Sequence, residues 1–144
     1  GTKKLRYRTI NRYITVIFYL MKVTIIKSFL IIISSIFYVI VGIKHFIEPE
    51  YFLSIVPPYL PYHLELVYIS GLFEVLFGLL ILFPKYRYYG AIGLILLLVA
   101  VFPANIYLAQ SKEAQEAIGA TQEIARWRLP IQGVFIWIAY HIRR

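Results

Sequence analysis

Three long, mostly apolar stretches, Val23 to Ile43, Leu66 to Phe83 and Tyr88 to Ala109, dominate this chain. A helix needs about 20 mostly apolar residues to cross a bilayer, and each stretch is close to that length. They are too long and too evenly apolar for barrel strands, which alternate inward and outward over roughly ten residues. A weaker fourth stretch runs from Leu129 to Ile142, with Ile124 to Trp127 available as a lead-in. The expected fold is therefore all-α, a transmembrane four-helix bundle. With 60% hydrophobic residues in a length of 144, no separate soluble domain is expected.

Charge sorts the chain further. The formal net charge is +8, but Lys3, Lys4, Arg6, Arg8 and Arg12 supply five of the positive charges within residues 1–20, which hold no acid. That concentration in one short arm argues against a nucleic-acid surface and for a local role. Met21 is the one methionine, followed by Lys22 and an apolar run, so residues 1–20 read as a basic extension upstream of a start and residues 21–144 as the bundle domain. Alternatively the arm is a basic segment beside the membrane, drawn to anionic lipid by about 1 kcal/mol per near-surface charge. With the N-terminus inside, the fifteen Lys and Arg divide eleven inside to four outside. The positive-inside rule then predicts cytoplasmic N- and C-termini in a bacterial-type cytoplasmic membrane.

That orientation gives two outer loops. The first, KHFIEPEYFLSIVPPYLPYHLE, holds four of the seven prolines, Pro49, Pro57, Pro58 and Pro61, among aromatic and aliphatic residues. Such a composition suits a fixed turn packed on the membrane surface. The second, QSKEAQEAIGATQEIARWR, is polar and Ala/Glu-rich, and reads as short surface helix with a break at Gly119.

Ionisable and amide groups inside apolar spans need a reason, since a charge near the bilayer centre costs about 2.5–3.5 kcal/mol on insertion scales. Gly71, Glu74 and Gly78 are spaced by three and four, which puts the carboxyl on a small-residue seam facing another helix. Asn105 lies near the outer end of the third span, and Pro103 beside it removes the donor for the Val99 carbonyl. Pro130 fits a first-turn position of the fourth span, with Gln132 just inside it and Arg128 just outside. His45 closes the first span on the same side. His45, Glu74, Asn105, Arg128 and Gln132 thus fall in one outer layer. They are candidates for a site that binds a polar head such as a quinone carbonyl pair, or holds a proton at Glu74. The competing reading is fastening: Glu74 pairs with Arg128 or His45, while Asn105 and Gln132 cross-link helices.

Other chemistries find little support. There is no cysteine and no aspartate. No phosphate-binding glycine loop, HExxH or nucleophile elbow appears. His45 and His63 flank the proline loop without the facing helical pair that haem or metal ligation requires, so no metal site is expected. His141 reads as an interface residue.

The ordered set GIKHFIEPEYFLSIVPPYLP, YISGLFEVLFGLLILFP, VFPANIYLA and RLPIQ resembles the DoxX family of small four-span membrane proteins, from about Met21 onward. On that resemblance the matching positions are His45, Pro49, Pro57, Pro58, Pro61, Gly71, Glu74 and Gly78. They continue with Pro103, Ala104, Asn105, Arg128, Pro130 and Gln132. The resemblance implies a redox- or quinone-associated membrane subunit, accessory to partner subunits of a redox complex, with any redox step running through quinone or a partner subunit. Without cysteine, this chain has no thiol exchange of its own. The alternative is a non-catalytic membrane partner or assembly factor that grips other membrane proteins.

Overall fold

A computed structural model describes residues 1–144. It is all-helical, with α1 at Thr2–Ile47, α2 at Pro49–Leu53, α3 at His63–Leu80, α4 at Arg87–Gln110, α5 at Lys112–Ile118 and α6 at Gln122–Ile142. Three helices, α1, α3 and α4, are long and apolar enough to cross a membrane, which marks the chain as membrane-associated. Their outward faces carry Ile32, Ile36, Leu72 and Leu96, each more than half exposed, as a lipid-facing surface requires.

The expectation of four apolar spans is corrected to three. At 21 residues α6 has the length, but Glu123, Arg126 and Arg128 occupy its first two turns and Gln132 its middle. Its start also differs from expectation. Thr121 caps the helix, its Oγ1 accepting from Ile124 N at 3.2 Å, so Pro130 falls in the helix interior, not in a first turn. Cap chemistry, not hydropathy, sets where this helix begins.

No glycine or proline interrupts residues 2–41, and α1 runs 46 residues, about 69 Å at 1.5 Å per residue. Residues 1–26 are exposed along their whole length, and packing begins near Lys27. The helix ends where Pro49 forces Glu48 out of helical geometry, and Pro49 itself opens α2 as its first residue. Segment 48–62 then turns back, with Pro57 fully buried, and enters α3 through Tyr62 in the left-handed region at φ 55°. The second apolar stretch leaves the α-helix earlier than Phe83: Leu82 and Phe83 donate to Leu79 and Leu80 in tighter turns. Arg87 staples that corner, Nε donating to the Ile81 carbonyl at 2.9 Å.

The bundle is ordered α1, α3, α4, α6, with little direct contact between α1 and α6. Helices α1 and α3 cross at glycine: a Cβ on Gly71 would lie 2.8 Å from the Gly42 carbonyl oxygen and 2.5 Å from His45 Cβ. Only bare backbone permits this approach. Helix α6 lies antiparallel along the whole of α4. Ala125 joins Leu108, Ala114 and Ile55 in one apolar cluster, while Ala139 and Ile142 join Ala91, Leu94, Ile81, Ile31 and Tyr38 in another. The polar stretch after α4 forms the short helix α5, as its composition suggests. Ser111 caps α5, and Gly119 ends it at φ 67°.

Candidate functional site

Between the two apolar clusters the four long helices do not close on one another. A cavity of about 790 Å³ remains, lined by 29 residues of which 19 are hydrophobic. His45, Glu74, Asn105, Arg128 and Gln132 all line it. Their bonding divides them into two groups on opposite walls.

The α4–α6 wall is a connected polar chain. The Arg128 Nε donates to Asn105 Oδ1 at 3.1 Å, Asn105 Nδ2 donates to Gln132 Oε1, and Gln132 Nε2 donates to the Leu98 carbonyl. Asn105 and Gln132 therefore cross-link α4 and α6, as the fastening reading describes. The main-chain acceptor is Leu98, one residue before the Val99 carbonyl that Pro103 deprives of its usual donor. At the α2 end of the cavity Arg128 Nη1 donates to the Tyr51 hydroxyl at 3.1 Å, which ties α6 to α2.

The α1–α3 wall is less satisfied. The carbonyl of Val41 can only accept, so His45 Nδ1, 2.8 Å away, carries the hydrogen and donates it there. The same nitrogen lies 3.3 Å from Glu74 Oε2. With its hydrogen committed to Val41, it leaves Oε2 enclosed and without a hydrogen-bond partner. The glycine crossing one turn away holds the imidazole and the carboxyl together, and Phe52 of α2 stacks on the imidazole with centroids 3.6 Å apart. Glu74 thus faces His45; Arg128 has no carboxylate within ion-pair distance.

The other motif positions have structural places. Gly71 and Gly78 are buried against α1, while Pro58 and Pro61 are exposed. Half-buried His63 starts α3 away from His45's bonding group, and His141 packs against Trp137 with ring centroids 4.1 Å apart and planes tilted by 37°. Tyr51 and Phe52 escaped the sequence reading. The signal for them was Pro49, whose first-turn preference launches a helix that returns both rings over the cavity. Lys44 and Glu48 also reach the lining.

This chain belongs to a family described only as a domain of unknown function, DUF8561, whose model matches residues 34–143. The resemblance to DoxX is overturned: the matching family is DUF8561, and no DoxX model matches. Short Pro, Gly and amide motifs in membrane helices answer general packing needs, so their order alone misled. No curated protein and no solved structure matches the chain.

Proposed function

We propose that this protein is a four-span membrane protein whose cavity binds a lipid-soluble molecule with a compact polar head. The observation that carries this reading is Glu74 Oε2, enclosed and without a donor, in the wall of a cavity of about 790 Å³. A buried polar atom without a partner costs about 1–3 kcal/mol, and a bound head removes that cost. Pockets of roughly 300–1,000 Å³ hold ligands of this size, with mostly apolar walls and a few convergent polar groups.

The pairing of α6 along the full length of α4 supports α6 as the fourth span, its charged first turns lying at the outer surface. Both termini then lie on one side, and the distribution of Lys and Arg favours the cytoplasm. Segment 48–62, with its prolines, is the outer cover of the cavity. A quinone ring is one occupant the volume accommodates, and the chain then serves as an accessory subunit.

The test is purification in gentle detergent followed by native mass spectrometry. The expected result is one small molecule per chain, lost in Ala104→Phe, which puts a ring on the half-buried α4 wall of the cavity. A wild-type protein with the same mass as its bare chain, and unable to take up added lipid-soluble probes, would sink the reading.

A further inference from the structure

We infer that the α3–α4 corner end of the bundle is a docking surface for the headgroups of anionic phospholipids in the chain's own membrane. Charge in this protein is separated from end to end. The apolar cluster that includes Ile31, Ile81, Ala91 and Ile142 brings the packed start of α1, the corner, the beginning of α4 and the last turn of α6 to one level. Lys27, Lys85, Arg87, Arg143 and Arg144 each lie within four residues of a member of that cluster, and the exposed basic arm of α1 continues beyond them. No acid lies at this end. Six of the seven acids fall in residues 48–65 and 113–123, at the opposite end, and the seventh, Glu74, is on the cavity wall.

The five bases have no counter-ion within the chain, whose two ion pairs, His45–Glu74 and Lys112–Glu116, both lie elsewhere. Arg87 Nε donates to the Ile81 carbonyl and Arg143 Nη1 to that of Tyr140, neutral acceptors that orient each guanidinium and leave its charge uncompensated. Helix α4 also begins here, without a side-chain cap and without an acid in its first turn, so its free N–H groups add to the positive potential. Exposed Phe83, Tyr86, Tyr89 and Tyr140 surround these charges, and aromatic rings of this kind anchor at the headgroup layer. Lipid fits this surface better than an acidic protein does, because the apolar outer faces of α3 and α4 run into it without a break. Molecules lying along those faces present their headgroups to the bases. A headgroup of net negative charge supplies what the bases lack, whereas choline cancels its own phosphate. The inference is independent of what occupies the cavity and shares with the reading above only α6 as the fourth span.

The test uses the full chain in vesicles of mixed phosphatidylglycerol and phosphatidylcholine. Its two tryptophans are both exposed on α6, Trp137 toward the basic end and Trp127 toward the other. Trp127→Phe and Trp137→Phe therefore leave one reporter for each end, and quenching by either lipid brominated on its acyl chain measures which lipid touches that reporter. Trp137 is expected to prefer phosphatidylglycerol by about fivefold or more, the size of one near-surface charge, and Trp127 to have no such preference. Lys27→Gln, Lys85→Gln and Arg144→Gln together, which spare the two bound arginines, should remove most of the preference at Trp137 and leave Trp127 as it was. Equal quenching of Trp137 by the two lipids overturns the inference. So does an equal preference at both tryptophans, or a preference that survives the triple substitution. Trp137 unquenched by either lipid overturns both the inference and the fourth span, which equal quenching leaves standing.

Discussion

Gln132 of α6 donates from Nε2 to the main-chain carbonyl of Leu98 on α4, while its Oε1 takes a hydrogen from Asn105. One amide thereby uses both ends across a single helix seam, beside the Arg128–Asn105 bond and between two apolar clusters. Gln132→Leu should lower stability by about 1–2 kcal/mol, near the upper range for interhelical hydrogen bonds in membranes. Unfolding in a graded denaturing-detergent series reads this directly. An unchanged midpoint would show that the seam holds by packing alone.

Two glycines offer opposite outcomes for the same substitution. Gly71→Ala drives a methyl against the Gly42 carbonyl and His45 Cβ, neither of which can yield without moving a helix. A loss of about 1–3 kcal/mol is expected. A new Cβ at Gly133 meets nothing within 4 Å, so Gly133→Ala should gain about 0.5–1 kcal/mol from helix propensity. The same unfolding series compares them, and equal shifts would contradict the tight α1–α3 crossing.

Buried Gln115 donates to the Leu108 carbonyl at 2.9 Å, satisfying one of the acceptors that the end of α4 leaves free. Gln115→Leu should cost about 1–3 kcal/mol by orphaning that carbonyl. Hydrogen exchange should quicken in α5 and the last turn of α4, leaving α1 and α3 unchanged. Uniform protection would rule out the capping role.

Tyr51→Phe removes the acceptor for Arg128 Nη1 and so unties α2 from α6. Because the bond is partly exposed, the stability change should be no more than about 1 kcal/mol. Faster exchange in α2, together with faster release of a bound probe, is the expected signature. Unaltered release would mean that segment 48–62 holds its end of the cavity through Ile55 and Pro57 instead.

The sequence reading did best where composition and local chemistry agreed. The apolar stretches located α3, α4 and the packed part of α1 because lipid exposure demands apolar side chains along a span, but they did not show that α1 already starts at Thr2. Gly71, Glu74 and Gly78 announced a close seam because their spacing permits no other face. Depth along the spans grouped five polar residues, all of which reach one cavity, yet it was silent on bonding. Whether Glu74 meets His45 or Arg128 depends on the Gly42–Gly71 crossing, which no single helix reveals. The start of α6 was missed because hydropathy weighs composition, whereas Thr121 sets the boundary with one hydroxyl. The family resemblance misled for a related reason: short motifs record what helices need in order to pack, not ancestry.

The Arg87 staple sits at one end of the bundle, beside the tight cluster of Ile81, Ala91 and Leu94, and the cavity lies toward the other. That arrangement makes the α3–α4 corner a fulcrum. Helix α3 has 18 residues and is about 27 Å long, so a tilt of about 5° at the corner moves its far end by roughly 2 Å. The Gly42–Gly71 crossing fixes α1 to α3 and the Asn105–Gln132 bond fixes α4 to α6, so a change in cavity width would have to come from the angle between two pairs hinged at that corner, with the helices themselves unchanged.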